Sequence, residues 1–210
     1  MKSFFHDHHQ LHLLLGLCFV LSGCVGPTNP VQEVTYYTFS YDPPPSQEIP
    51  RLPAVLQLDA FTTAPLYNTE KIVYKPEQFQ RKVYNYHRWQ SIPGELVAYY
   101  LARDMKASSR FAAVLTQPGR LSPTHLLTGT VDEIFEDDSP NGWQAVIGLT
   151  VTLINASERK ADRAVIFQKT YKMSESSASR NPSAVVSAMS SAMSMISKRV
   201  IADVFVALSE

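Results

Sequence analysis

Hydrophobic residues change their spacing several times along the chain, and each spacing predicts an element. Leu11 to Leu21 is a nearly continuous apolar run interrupted only by His12 and Gly16. It is about half the roughly twenty residues that a bilayer-spanning helix needs. Gly26-Pro27-Thr28-Asn29-Pro30 follows and prevents any helix from continuing. Val34 to Phe39, rich in β-branched and aromatic residues, reads as a first strand. Pro43-Pro44-Pro45, Pro50 and Pro53 make a stiff extended connector, after which Val55 to Phe61 resumes as a strand. Ala64 to Asn68 is a loop. Lys71–Lys75 and Lys82–Tyr86, separated by a segment that opens with Pro76-Glu77, suit a hairpin with alternating exposure.

From Pro93 to about Ser108 the period lengthens. Leu96, Val97, Tyr100, Leu101 and Met105 recur at helical spacing, Ser91 or Ile92 lies near the cap, and Pro93 suits the first turn. Phe111–Leu115 reads as a short strand. His125–Phe135 and Trp143–Asn155 read as longer strands joined by an acidic turn, Glu136 to Gly142. In the second of these, Trp143, Ala145, Ile147, Leu149, Val151 and Leu153 share one face. A polar turn from Asn155 to Asp162 leads to an antiparallel return, Ala164 to Met173. After the serine-rich stretch from Ser174 to Ser179, Asn181-Pro182 opens the longest helix. Val185, Val186, Met189, Met193, Ile196, Val200, Ile201, Val204 and Phe205 form its apolar stripe. The predicted fold class is α+β: a single domain with a mostly antiparallel twisted sheet and two principal helices packed on it.

Composition narrows what such a body does. The chain has 210 residues, 45% of them hydrophobic and 18% charged, the profile of a globular protein. Nineteen basic and nineteen acidic residues cancel, so no global field favours nucleic acid. The two cysteines, Cys18 and Cys24, both lie in the amino-terminal leader, leaving the body without a thiol for a disulfide, a metal or nucleophilic catalysis.

Lys2 and the apolar run have the layout of a signal peptide, and the run ends in Leu21-Ser22-Gly23-Cys24. That tetrapeptide resembles the lipobox of bacterial lipoproteins, in which the cysteine becomes the acylated first residue. The expected organisation is a signal peptide over 1–23, a lipidated tether over 24–33 and a folded domain over 34–210. Several acyl chains on Cys24 would make a durable bilayer anchor. Val25 stands where inner-membrane lipoproteins often carry aspartate, so the resemblance implies the outer membrane, facing the periplasm.

His6, His8, His9 and His12 resemble a metal tract but fall within the leader. In the mature chain His87 and His125 lie on different segments, and the cluster Glu133, Glu136, Asp137 and Asp138 lacks the alternating spacing of a calcium loop. The sequence carries no nucleophile elbow, phosphate loop or dinucleotide fingerprint. The expectation is a protein that is not an enzyme and holds no cofactor or metal.

Several segments together resemble the ABC-type transport auxiliary lipoproteins, the family that includes the paraquat-inducible lipoprotein C of enterobacteria. They are the Tyr36-Tyr37-Thr38-Phe39 strand, Ile72-Val73-Tyr74-Lys75, Tyr84-Asn85-Tyr86-His87-Arg88-Trp89 ahead of a proline and a helix, and Ser109-Arg110-Phe111 after that helix. The proline connector before Arg51 and the loop from Glu136 to Gly142 depart from the family pattern. The resemblance implies an auxiliary component of a mammalian-cell-entry (MCE) type system, in which an inner-membrane ABC transporter and a periplasmic MCE protein move lipids or other hydrophobic molecules between membranes. Its partners would be that MCE protein, the transporter, the bilayer through Cys24, and further copies of itself in a homo-oligomer.

Two other readings compete: an envelope adaptor that activates a cell-wall synthase, and a lipid-anchored hydrolase using His87 or His125. Tyr84, Tyr86, Arg88 and Trp89 are of the residue types enriched at binding hot spots and are candidates for partner contact, with core burial the alternative.

Overall fold

The structure, a computed structural model, describes residues 32–46, 50–139 and 142–209. The leader histidines, Leu21, Ser22, Gly23 and Cys24 lie outside the described residues. The chain divides into two units, Met1–Glu33 and Val34–Glu210, and the architecture here is that of the second.

Strands β1 (Thr35–Tyr37), β2 (Leu52–Leu58), β3 (Thr62–Thr63), β4 (Lys71–Lys75) and β5 (Lys82–Trp89) precede helix α1 (Pro93–Ala107). Then come β6 (Phe111–Leu115), β7 (His125–Ser139), β8 (Gly142–Asn155), the one-turn helix α2 (Ala161–Ala164), β9 (Val165–Ser176) and helix α3 (Pro182–Ala207). The strands form one sheet organised around β7. Along one edge β7 pairs antiparallel with β8 over its whole length, and β8 with β9. Its other edge receives β2 at Leu126, β3 at Thr130 and β4 at Glu136, all parallel. Beyond these, β6 pairs parallel with β2, β5 antiparallel with β4, and β1 parallel with β5.

The sheet is therefore mixed, not mostly antiparallel. A period of two marks which face of a strand is buried, but not the direction of its neighbour. Here the parallel partners are distant in sequence, β2 and β7 being separated by the β4–β5 hairpin, α1 and β6.

Two further expectations change. The acidic stretch from Glu136 is not a turn at its start, because β7 continues to Ser139. Gly142, at φ 129°, opens β8 in a conformation that glycine tolerates. The polar stretch before β9 contains the helical turn α2, so the short helices and strands exceed what the hydrophobic pattern announced.

Helix α1 packs against β3, β6 and β7, α3 against β8 and β9, and the two helices touch. Leu96, Val97, Leu101 and Met105 of α1 and Val185, Met189, Met193, Ile196, Val200 and Val204 of α3 are buried, as their spacing requires. Asn181 caps α3 by accepting from the Ala184 N–H at 2.9 Å. Ile92, at the start of α1, supplies no side-chain cap; instead Thr63 Oγ1 accepts from the Gly94 N–H at 2.8 Å. Gly94 is required there, since a Cβ would stand 2.2 Å from the Phe61 carbonyl oxygen. At the other end of α1, Ser109 adopts φ 55°, the left-handed position that ends many helices.

After β1 the chain ties onto both helices. The Ser40 N–H donates to Ser190 Oγ at 3.0 Å on α3, and Tyr41 Oη donates to the buried Asp104 Oδ2 at 2.9 Å on α1. Phe39, the residue before them, is buried against Trp89 and Tyr100, with ring centroids 5.5 and 5.3 Å away.

Candidate functional site

The candidate contact residues all come from β5, and an irregularity in that strand decides where each one points. Between the pairs Lys71↔Arg88 and Val73↔Val83 a longer stretch of β5 opposes a shorter one of β4, a bulge that breaks the simple alternation. As a result Tyr84 and His87 meet edge to face with centroids 5.5 Å apart. His87 Nδ1 lies 3.0 Å from Tyr37 Oη on β1.

Trp89 is 1% exposed and belongs to the core, so it is a packing residue of this body rather than a surface contact. Its indole lies against Phe39 and bridges the chain after β1 to the sheet. Tyr84 is half-buried and also faces inward, its hydroxyl donating to Glu136. Tyr86, by contrast, is 40% exposed, and Tyr36, the register partner of Arg88, is 54% exposed. Arg88 is half-buried, and its Nε is shielded from solvent with no acceptor among the described residues. A donor in that state costs stability unless something completes it. The outward group is thus Tyr36, Tyr86 and Arg88, at the β1–β5 edge of the sheet.

Glu136 is the polar residue that hydrophobic patterning missed. Its position in an acidic run suggested solvent, yet it is fully buried on β7, opposite Ala145 of β8. Burial pushes its carboxyl up to about 7; the Tyr84 hydrogen bond opposes this shift and the charge of Asp138 adds to it. The Tyr84 phenol is itself raised, first by burial and then by the Glu136 charge. Tyr74 on β4 lies beside Tyr84 with centroids 4.8 Å apart. On the opposite face of β7, Lys75 pairs with Asp137 at 3.0 Å, and the Phe135 ring stacks on Tyr67 with the Arg81 guanidinium 4.9 Å from its centroid. This arrangement can hold or release a proton near neutrality while locking β4, β5 and β7 together.

His125 lies apart from this cluster at the start of β7, paired in register with Asn155. Burial lowers its pKa, and its Nδ1 is 2.9 Å from Thr124 Oγ1. Among the described residues no three His, Cys, Asp or Glu side chains gather to hold a metal ion. Nor is any described helix long and apolar enough to cross a membrane.

A groove of about 500 Å³ runs between α1 and the end of β2, lined by Leu58, Ala60, Ala98, Tyr99 and Ala102 together with Asp59, Glu95, Arg103, Lys106 and Thr116. Sequence reasoning passed over it because Tyr99, 65% exposed, sits off the apolar stripe of α1. A large aromatic on the wet face of that helix was the available signal.

Comparison with known proteins places this architecture. No curated protein matches the sequence. Among solved structures, protein XCC0632 from Xanthomonas campestris is similar in fold, with a TM-score of 0.74 at 19% identity over 83% of this chain and 96% of that one. The hypothetical protein CT253 from Chlamydia trachomatis aligns with a TM-score of 0.51 at 10% identity, over 74% of this chain and 98% of its own. The sequence pattern of the ABC-type transport auxiliary lipoprotein component matches residues 37–201, from β1 into α3. The chain therefore belongs to the family of ABC-type transport auxiliary lipoprotein components.

Proposed function

We propose that this protein is a lipid-anchored, non-enzymatic docking component of an MCE-type transport system, which moves lipids or other hydrophobic molecules between membranes. The observation that carries the reading is the family match over residues 37–201. Upstream of it, Leu21-Ser22-Gly23-Cys24 supplies the acylation signal, with 1–23 removed and 24–33 left as the tether of the 34–210 body. Val25 after the cysteine directs the protein to the outer membrane, where the body faces the periplasm.

The β1–β5 edge suits the docking role. Tyr36 and Tyr86 offer rigid amphipathic area, and the half-buried Arg88, in register with Tyr36, offers a cation for a partner's carboxylate. The partner is the periplasmic MCE protein, with the inner-membrane ABC transporter behind it.

Affinity capture of the mature acylated protein from detergent-solubilised envelopes tests this. An MCE-domain protein is the expected prey; recovery of a cell-wall synthase in its place would replace the transport reading with the adaptor reading. In parallel, Cys24→Ala is expected to abolish labelling by a radioactive or clickable fatty acid and to release the protein from outer-membrane fractions, while its circular dichroism stays that of the folded body.

A further inference from the structure

Phe79, at the turn between β4 and β5, is 93% exposed, the most exposed large apolar side chain among the described residues. Single exposed hydrophobes are ordinary on protein surfaces; the position of this one in the topology is what gives it meaning. Strand β1 runs parallel to β5, with Thr35 opposite His87 and Tyr37 opposite Trp89. The chain therefore enters β1 from the end of the sheet at which β5 begins, which is the end that carries Phe79. Because β4 runs parallel to β7, the end of β7 and the start of β8 also lie at this end.

Lengths agree with a common destination. From His87 back to Lys82 is about 17 Å at the rise of a β-strand. The tether residues 24–33, when extended, reach about 35 Å. An anchor on Cys24 thus has enough chain to let the hairpin end approach the bilayer that holds it. At the tip Phe79 supplies an exposed aromatic ring and Lys82 an exposed cation on an aliphatic stem, both favoured in the interfacial layer of a bilayer. Arg81 turns its guanidinium back onto the Phe135 ring, Asp137 pairs with Lys75, and the exposed Glu77 accepts from Gln80.

We propose that the β4–β5 hairpin tip, led by Phe79, rests in the headgroup region of the phospholipid membrane to which Cys24 is anchored. The tip then serves as a second, weak foot that fixes which face of the body looks into the periplasm. This inference rests on the acylation of Cys24.

The test uses the mature acylated protein carrying Gln78→Cys, which leaves Phe79 in place. That thiol would be the reactive one, since Cys18 is lost with the leader and Cys24 is blocked. An environment-sensitive fluorophore is attached there, or at Ser157→Cys on the exposed β8–β9 connection at the opposite end of the sheet. The protein is reconstituted into phosphatidylethanolamine–phosphatidylglycerol vesicles containing headgroup-depth spin-labelled lipid. Flotation with the vesicles, together with quenching several-fold stronger at position 78 than at 157 that falls when Phe79→Ser is added, supports the proposal. Flotation with equal quenching at the two positions overturns it while leaving the anchor intact. Failure to float overturns the anchor and the proposal with it. Shielding at 78 that depends on protein concentration or on an added partner, without lipid quenching, assigns the tip to a protein interface and also overturns it.

Discussion

The hydroxyl of Tyr84 on β5 reaches across β4 to the carboxylate of Glu136 on β7, 3.1 Å from each oxygen. It joins two strands that are not neighbours and partly satisfies a carboxyl that has no exposure to water. A charge placed there must be stabilised by fixed groups rather than by solvent, which is why its proton is held to about pH 7.

The pH dependence of stability follows. The folded-state value, about 7, exceeds the ordinary 4.5, so between these values the folded chain binds a proton that the unfolded chain has released. Stability is therefore fully present below about pH 4.5, falls as pH rises through 7, and levels off above it, a loss on the order of 3 kcal/mol. Urea unfolding at pH 5 and pH 8 measures the difference, and Glu136→Gln is expected to flatten it. Tyr84→Phe removes the bond that holds the value down, so the falling limb should start at the same pH and extend further upward. A wild-type profile already flat between pH 5 and 8 would contradict this assignment.

Trp89 and Tyr86 stand three residues apart and should behave oppositely. Trp89→Ala opens a cavity against Phe39 and is expected to cost about 3–5 kcal/mol. Tyr86→Ala, at a 40% exposed position, should stay within about 0.5 kcal/mol of wild type. Denaturant midpoints separate the two. If Tyr86→Ala and Arg88→Ala keep the fold but weaken capture of the MCE protein, the β1–β5 edge is the docking surface; if capture is unchanged, the partner binds elsewhere.

Thr63 caps a helix to which it does not belong. Thr63→Val keeps the side-chain shape but leaves the Gly94 N–H without its acceptor, for an expected loss of about 0.5–2 kcal/mol. Thermal unfolding of the variant measures this. A melting temperature equal to that of wild type would mean that another group caps α1.

Much of the body was legible from local chemistry. The residues of α1 and α3 that the helical period singled out are buried along one stripe, and Asn181-Pro182 opens α3 as its cap chemistry demands. The β4–β5 hairpin, the β6 strand and the inward face of β8 also follow from period and turn residues. The outward and inward members of the β5 cluster did not follow, because a bulge has no signature in hydrophobic alternation and it carries Tyr84 and His87 to one side. Glu136 was misread for a related reason: a carboxylate beside two aspartates resembles a wet turn until a strand from elsewhere covers it.

By itself the sequence determined where the helices and most strands lie, which of their faces turn inward, and that the body lacks cysteine. Those properties depend on side chains and their immediate neighbours, so they are written in local order. Only the tertiary structure decided that three short strands line one edge of β7 in parallel, that Trp89 is core while Tyr86 is surface, and that Glu136 is sealed behind Tyr84. It also decided that the chain enters β1 from the end of the sheet that carries Phe79. Each of these depends on pairing between segments far apart in the chain, and the hydrogen bonds that select a strand's partner come from backbone groups that every residue shares.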